Sequence, residues 1–452
     1  MVGSGAPGAI GRVPAGVSDD SYRPGGPPTV VCENGAPHFA QPMRFLFVHQ
    51  NFPGQFGHVA AALAQAGHEV HALGESKRLQ ARPSPHSAIR RYGYGAPEPV
   101  APGTHPYLRK FEADVRRGEA VARLGSDMVK RGLRPDVVVA HPGWGEALFL
   151  KDVFASARHV HYCEYFYRSQ GGDVGFDPEF MPPANDHLRL RLLNTTQLTG
   201  LEYADVGHSP TQWQASRYPA EMRQRIQVIH DGIDTERARP DPHASVTVAE
   251  RRLTAQDEVI TYVARNLEPY RGFHMLMRVL PEVLARRPQA QVLIVGGDES
   301  GYGARAPGGK TWRAHCWEPI REQVDASRVH FLGHLPYAAY LAALQISSAH
   351  VYWTYPFVLS WSMLEAMAAQ CLVIGSATAP VQEVLRHGHN GLLCDFFDVA
   401  QWTETIVDAL ARRDQLLPLR HQARQSVVEH FDLKNVCLPQ HLTMLGAAAG
   451  VA

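Results

Sequence analysis

The first half of the chain alternates short apolar runs with stretches of helical period. An apolar run of strand type covers residues 44–48, and a glycine-containing turn follows at residues 51–57. The next stretch places Val59, Leu63 and Ala66 on one helical face and leads through a glycine into a second apolar run. Strand, turn, helix and strand in this order predict the opening of a parallel α/β domain.

A second series of the same kind begins near Val259. A long amphipathic stretch follows it, and further apolar runs begin at Gln291, His330, Ala349 and Leu372. Two α/β series in succession predict two domains that face each other across a cleft. A proline-rich break near residue 240 separates the two series.

The predicted organisation therefore has four parts. An N-terminal domain covers residues 43–238, a C-terminal domain covers residues 239–425, and a helical tail covers residues 426–452. Residues 1–42 are rich in glycine, proline and serine and show neither a strand period nor a helix period. We interpret them as a disordered extension or as sequence upstream of a start at Met43.

Composition indicates the class of protein but does not identify its function. Hydrophobic residues make up 45% and charged residues 19%, which is typical of a globular chain. The 44 basic residues balance the 44 acidic ones, so we expect no nucleic-acid partner. The six cysteines form no C-x-x-C pair, and no run reaches the roughly 18 apolar residues of a membrane-spanning helix. With no signal-peptide pattern at the N-terminus, we expect a cytoplasmic protein.

Two arginines stand between a predicted strand and a predicted helix. Arg265 ends the apolar run that begins at Val259, and Arg271 precedes Gly272 and the amphipathic stretch. Guanidinium groups match phosphate oxygens, and a helix N-terminus adds a favourable dipole. The pattern indicates a diphosphate site, although two surface arginines would give the same sequence.

A second block of interest covers residues 355–398. It places Glu365 early in a helix that follows a strand, where α/β sheets collect ligands. A carboxylate there can accept both hydroxyls of a ribose. On its own, however, a glutamate in this position is more often a solvated carboxylate on a helix face.

Polar residues also follow the strands of the N-terminal domain. The turn after the first strand contains Gly54 and Gln55, and glycine lets backbone approach a ligand closely. The motif is not a G-x-G-x-x-G fingerprint, and a plain tight turn would also explain it. Further along the chain, His141 follows a strand with Trp144 three residues later, and the later loops contain Glu164 and Asp173.

Taken in order, these motifs resemble the family-4 glycosyltransferases with the GT-B fold. Residues 355–398 are similar to the family's C-terminal signature, in which a Glu-x7-Glu pattern precedes Ala-Met-Ala, a strand, a helix with a glutamate and an Asn-Gly turn. Glu365 matches the second glutamate of that pattern, whereas Phe357 stands at the position of the first. Val228-Ile-His-Asp231-Gly-Ile-Asp234 resembles the family's Val-Ile-x-Asn-Gly-Val-Asp, with Asp231 in place of asparagine.

The resemblance implies two Rossmann-like domains facing across a cleft, with a C-terminal helix packed back on the N-domain. It implies that the chain is a retaining glycosyltransferase that moves a sugar from a nucleotide-diphosphate sugar to an acceptor hydroxyl. The acceptor class stays open between a glycan, a lipid, a protein and a small molecule, as does a peripheral contact with the inner membrane. The resemblance implies no cofactor and no metal requirement.

Residue roles follow from the same resemblance. The residues implied in catalysis are His141, which faces the transferred sugar, with Arg265 and Arg271, which neutralise the donor diphosphate. The residues implied in donor binding are Gly54, Gln55, Arg265, Arg271, Ser360, Glu365 and Glu383. The residues expected on the acceptor side are Trp144, which offers an apolar wall for a sugar ring, Glu164 and Asp173. In place of a glutamate at position 357, we expect Ser360, Trp361 or nearby backbone amides to contact the sugar.

Other functions fit parts of the sequence. A GT-B nucleotide-sugar epimerase or a phosphorylase would share the fold. A non-catalytic nucleotide-sugar-binding protein could have lost the first glutamate, as Phe357 suggests. A nicotinamide oxidoreductase fits less well, because no glycine fingerprint is followed by an acidic residue about twenty positions on.

Overall fold

The computed structural model describes residues 42–299 and 301–447. The predicted disordered extension, residues 1–42, lies outside the described residues except for its last position. Two parallel sheets with helices on both faces form the described chain. Among the described residues, no helix combines the length and the apolar character needed to cross a bilayer.

The first sheet has seven parallel strands in the order β3-β2-β1-β4-β5-β6-β7. Its inner strands are short and mostly buried, which is typical of a parallel sheet covered on both faces, whereas the edge strands β3 and β7 are largely exposed or half-buried. Their bounds are β1 Arg44–Val48, β2 Glu69–Glu75, β3 Arg90–Tyr94, β4 Val137–Ala140, β5 Arg158–Tyr162, β6 Val206–Ser209 and β7 Ile226–Val228. The helices of this part are α1 Gly57–Gln65, α2 Ser76–Gln80, α3 Arg109–Lys130, α4 Leu150–Val153, α5 Asp186–Leu193, α6 Thr195–Glu202, α7 Gln212–Ser216 and α8 Ala220–Arg223.

An antiparallel hairpin that the sequence did not predict separates the two sheets. It consists of β8 Ser245–Val248 and β9 Arg251–Thr254. Its turn places the non-glycine residues Ala249 and Glu250 at positive φ, so the usual glycine signal of a tight hairpin is missing.

The second sheet has six parallel strands in the order β12-β11-β10-β13-β14-β15. Their bounds are β10 Val259–Asn266, β11 Gln291–Gly297, β12 Val329–Gly333, β13 Ala349–Tyr352, β14 Val373–Ser376 and β15 Leu392–Cys394. The helices are α9 Phe273–Arg286, α10 Trp312–Trp317, α11 Tyr337–Gln345, α12 Trp361–Ala368, α13 Ala379–Gln382, α14 Val399–Ala411, α15 Leu417–Phe431 and α16 Leu438–Met444. As the sequence predicted, α9 buries the apolar side chains of one continuous face against the sheet.

Both sheets reverse their strand order at one place. The reversal lies between β1 and β4 in the first sheet and between β10 and β13 in the second. In open α/β sheets, ligands bind in the crevice beyond the carboxyl ends of the strands at such a reversal. The fold therefore gives each domain one preferred ligand position.

The end of the described chain returns to the first sheet. Helix α15 packs on α12 of the C-terminal domain, and the chain then pairs with the interdomain segment through Ile233 and Asp432. After a π-helical turn, α16 packs on α1, where Met444 and Leu445 join the core that contains Phe45. The expected packing of a C-terminal helix on the N-domain is confirmed.

Candidate active site

A cavity of about 290 Å³ lies between the two sheets at their strand-order reversals. Residues from both domains line it, including Gln55, Glu164 and Asp231 on one side and Arg265 and Arg271 on the other. His49, His141 and Glu164 follow the carboxyl ends of the adjacent strands β1, β4 and β5, which explains why side chains far apart in sequence meet here.

Arg271 belongs to the turn between β10 and α9. The turn closes on Gly272, which has a φ of +65° and would overlap Trp353 if it carried a Cβ atom. Nη1 of Arg271 donates to Thr354 Oγ1 at 2.8 Å and to the carbonyl of Val358 at 3.0 Å. These partners are neutral, and no carboxylate of the described chain forms an ion pair with Arg271. The guanidinium is fixed in place while its positive charge remains available to the cavity.

Arg265 reaches the cavity from the exposed end of β10. Within the described chain its guanidinium makes neither a hydrogen bond nor an ion pair. Two guanidinium groups on one wall, neither of them in an ion pair within the described chain, favour an anionic ligand with several oxygens, although the buried Glu268 lies within electrostatic range of both. The structure therefore brings together the two arginines that the sequence indicated.

The opposite wall is a chain of hydrogen-bonded side chains. Asn51 N donates to Nδ1 of His49, so Nε2 of His49 carries the proton and donates to Gln55 Oε1 at 3.0 Å. Gln55 Nε2 then donates to Glu164 Oε1 at 3.0 Å. From the other side, His141 accepts from Gly143 N through Nδ1 and approaches Glu164 Oε2 with Nε2 at 3.2 Å. Glu164 is thus held by one donor on each oxygen.

Charge states follow from this chain. Burial, aided by the nearby His141, lowers the pKa of His49 to about 3, so His49 is neutral at pH 7. Burial alone would raise the pKa of Glu164, but the hydrogen bonds from His141 and Gln55 and the charge of Arg265 hold it below its usual range. Glu164 is therefore a carboxylate at neutral pH.

Gly54 and Trp144 support this wall from behind. Gly54 has a φ of +49°, and a Cβ atom there would lie 2.7 Å from the His49 ring. Trp144 stacks on His141 with ring centroids 3.9 Å apart. Gly54, His141 and Trp144 are thus close to the cavity, but Gln55 and Glu164 are the residues of this group that line it.

Asp231 is a site residue that sequence reasoning passed over as a mild replacement of asparagine. Its Oδ2 accepts from Tyr162 Oη and from Trp361 Nε1, both at 2.9 Å. Burial raises the pKa of Asp231 to about 7, with the nearby Glu164 acting in the same direction. The departure from the family's asparagine was the available signal, but its partners lie 69 and 130 residues away and could not be read from the sequence.

Phe357, at the position of the family's first glutamate, lies in an aromatic cluster. Its ring centroid is 4.7 Å from that of Tyr165, 4.8 Å from that of Tyr302 and 5.5 Å from that of Tyr270. Only 4% of Phe357 is exposed. Position 357 thus presents no polar group to a ligand, as the sequence led us to expect, whereas Ser360 and Trp361 do line the cavity.

Three of the sequence-indicated residues have other partners. Glu365 accepts Tyr337 Oη at 2.8 Å and Tyr340 Oη at 2.7 Å, and it does not line the cavity. Glu383 accepts from the backbone N–H groups of Gln212 and Trp213 and thereby caps α7 across the domain interface. Asp173 is buried; it accepts from Tyr165 Oη of its own domain at 2.6 Å and from Tyr270 Oη across the interface at 2.9 Å.

One group in the described chain has ligand atoms close enough to share a metal ion. It consists of Asp177, Glu179 and His274, and none of the three lines the cavity. Tyr355 Oη donates to Asp177, and Arg278 forms an ion pair with Glu179, so both carboxylates already have partners. The group lies at the domain interface, apart from the two arginines.

Comparison with known proteins identifies both halves of the chain. Residues 66–238 match the sequence model described as the glycosyl transferase family 4 group, and residues 257–412 match that of the glycosyl transferases group 1. The D-inositol 3-phosphate glycosyltransferase of Corynebacterium urealyticum is 27% identical over 211 residues, which are 46% of this chain and 48% of the relative. The match thus spans about half the length of that curated relative.

Solved structures of low sequence identity share the fold. Sucrose-phosphate synthase from Thermosynechococcus elongatus superposes with a TM-score of 0.67 at 19% identity, over 89% of this chain and 98% of that one. Anabaena HepE, solved in complex with UDP-glucose, superposes with a TM-score of 0.58 at 15% identity, over 89% of this chain and 100% of that one. The predicted architecture of two Rossmann-like domains across a cleft is confirmed.

Proposed function

Because the chain belongs to the family-4 glycosyltransferases of the GT-B fold, we propose that it transfers a sugar from a nucleotide-diphosphate sugar to an acceptor hydroxyl. The observation that carries the proposal is the pairing of two walls in one cavity. Arg265 and Arg271 provide two guanidinium groups that form no ion pair within the described chain, and the facing wall provides groups that accept hydroxyl hydrogen bonds. In a nucleotide-diphosphate sugar, the negative diphosphate matches the two arginines and the sugar hydroxyls match the facing wall.

In this proposal, Arg265 and Arg271 neutralise the diphosphate as it leaves. A charge-assisted hydrogen bond contributes about 1.5–3 kcal/mol, and charge that develops on the leaving oxygens makes such bonds stronger in the transition state. The departing phosphate takes the proton of the acceptor hydroxyl, and donor and acceptor meet on the same face of the sugar. Transfer then retains the anomeric configuration, needs no covalent nucleophile and requires no metal.

Donor and acceptor are proposed more coarsely. The complex of HepE with UDP-glucose supports a nucleotide-sugar donor and makes UDP the first nucleotide to try. The name of the Corynebacterium relative supports glycosyl transfer to a small hydroxylated acceptor. Glycans, lipids and proteins remain acceptor classes for the same test.

A thermal-shift screen against UDP, GDP, ADP and their common sugar conjugates tests donor binding. A ligand at a hundredfold excess over its Kd stabilises the native state by about 2.7 kcal/mol. We expect a shift with one nucleotide, which Arg265→Ala diminishes. Glu365→Ala tests the ribose role that the family resemblance implies. Arg123→Ala is the matched control, because Arg123 lies on α3 with 75% of its side chain exposed.

Turnover distinguishes the proposal from its alternative. A non-catalytic nucleotide-sugar-binding protein is favoured by Phe357 and would bind nucleotide without releasing it from a donor. An epimerase would change or release the sugar with no acceptor present. We expect acceptor-dependent release of the nucleotide and a product whose anomeric configuration, measured by NMR, equals that of the donor. The absence of a shift with every nucleotide would refute the proposal.

A further inference from the structure

The cavity contains carboxyl groups on one wall only. Among the described residues that line it, Glu164 and Asp231 are the two with acidic side chains, and both belong to the N-terminal side. The C-terminal side offers Phe357 where the family has a glutamate, and Phe357 is buried among tyrosines. Groups able to accept several sugar hydroxyls at once therefore lie across the cleft from their usual place.

Both carboxyl groups are fixed before a ligand arrives. Glu164 is held by Gln55 and His141, with one donor on each oxygen. Asp231 is held through Oδ2 alone, by Tyr162 and Trp361, and within the described chain its Oδ1 has no hydrogen-bond partner. A carboxylate has about four lone-pair sites, so each group retains capacity for hydroxyl donors.

The two acids line the same cavity. The charge of Glu164 contributes to the raised pKa of Asp231, after burial as the main cause. A further carboxylate brought to this wall would meet the ionised Glu164, whose side chain is 30% exposed, and like charges at contact distance repel. A neutral hexose brings no such charge.

We propose that Glu164 and Asp231 select the donor sugar by accepting the hydroxyls of a neutral hexose and repelling the carboxylate of a uronic acid. The inference rests on the proposed function, because it assigns the sugar end of the same donor site, and it places Glu164 at the donor sugar where the sequence had indicated the acceptor side. Arg265 and Arg271 hold the diphosphate in either case, so affinity for the nucleotide alone should change much less than affinity for the sugar nucleotide.

Isothermal titration with UDP, UDP-glucose and UDP-glucuronic acid tests the proposal. We expect the wild type to bind UDP-glucose at least tenfold more tightly than UDP-glucuronic acid. Glu164→Gln and Asp231→Asn should each weaken the binding of UDP-glucose at least threefold and reduce the affinity ratio between UDP-glucose and UDP-glucuronic acid. The affinity for UDP should stay within twofold of the wild-type value. Glu119→Gln, an exposed carboxylate on α3, is the matched control and should change none of the three affinities.

The outcomes separate this inference from the proposed function. Variants that leave the affinity ratio of the two sugar nucleotides unchanged, or that weaken UDP as much as UDP-glucose, overturn the selection role alone. For a site that binds guanosine nucleotides, titration with GDP and GDP-mannose makes the same comparison. A wild-type protein that binds no nucleotide overturns the proposed function and this inference together. Unfolding midpoints of both variants confirm that each is folded.

Discussion

The two walls of the cleft hold their polar groups in different ways. On the N-terminal wall, His49, Gln55, Glu164 and His141 bond to one another, so each side chain is fixed by its neighbours. On the C-terminal wall, Arg271 bonds only to neutral oxygens, and within the described chain Arg265 bonds to none. One wall is an internally satisfied network, and the other keeps its charge for a ligand.

This difference teaches how one cavity can serve two chemical tasks. A diphosphate needs charge, and a guanidinium that already pairs with a carboxylate would have less to give. A sugar needs many weak acceptors in fixed directions, and a network supplies these at little further cost in side-chain entropy. The predictions below test this division, beginning with the largest expected effect.

Low pH should destabilise the N-terminal domain before the C-terminal domain. Burial lowers the pKa of five histidines of the described chain to about 3. Four belong to the N-terminal side, namely His49, His161, His208 and His230, and the fifth, His350, belongs to the C-terminal domain. Because the unfolded pKa is about 6.5, their stabilising effect is complete above pH 6.5 and is lost as the pH falls toward 3. At pH 5.5 the cost is about 1.4 kcal/mol for each histidine, or about 5.5 kcal/mol for four.

Hydrogen exchange with domain-resolved peptides measures this loss at pH 7.5 and pH 5.5. We expect protection to fall first in peptides of residues 44–228. His161→Gln removes one titrating group and should reduce the pH dependence of the unfolding free energy by about 1.4 kcal/mol at pH 5.5. An equal loss of protection in both domains would contradict the assignment.

Arg271→Ala should lower turnover at least tenfold. The variant loses a guanidinium that we assign to the leaving diphosphate, and the loss of one charge-assisted bond of about 1.5–3 kcal/mol corresponds to roughly ten- to hundredfold in rate. Initial rates at saturating donor measure the effect. Since Arg271 is buried and hydrogen-bonded, the unfolding midpoint must be measured alongside. Turnover close to that of the wild type would remove Arg271 from the mechanism.

Arg265→Ala should weaken diphosphate binding by roughly tenfold without destabilising the fold. Its guanidinium is exposed and makes no hydrogen bond in the described chain, so the fold loses nothing. Comparing UDP with UMP sharpens the test, because the loss should be larger for the ligand with two phosphates. Equal losses for both ligands would place Arg265 away from the second phosphate.

The smallest effect is expected for Glu383→Ala. Because Glu383 caps α7 of the opposite domain, its removal should cost about 0.5–2 kcal/mol of unfolding free energy. UDP affinity should change by less than twofold. A larger loss of affinity with an unchanged unfolding free energy would instead support the donor-binding role that the sequence implied.

The sequence predicted more of the fold than of the site. Apolar periodicity was enough to predict two α/β series, because each strand and helix buries its own local pattern. The position of Arg265 and Arg271 between a strand and a helix could also be predicted from a short stretch of sequence. The β8–β9 hairpin was missed, since its turn has alanine and glutamate where glycine is usual.

The polar network could not be predicted for a different reason. Gln55 and Glu164 are 109 residues apart, and the bonds from Glu383 to α7 span about 170 residues. Such pairs depend on which strands become neighbours and on how the two domains meet, and no local pattern encodes either. The family resemblance supplied candidate residues, but their partners came only from the folded chain.

The return of α16 to the first sheet has a consequence for how the protein is made and divided. Met444 and Leu445 complete a core whose first strand begins at Arg44. During translation the N-terminal domain therefore waits, with one face of α1 uncovered, until the ribosome has synthesised the whole C-terminal domain. The domain that begins first is finished last. A single cut in the chain cannot release it as a cassette for grafting, because a complete copy needs two separate pieces of the polypeptide.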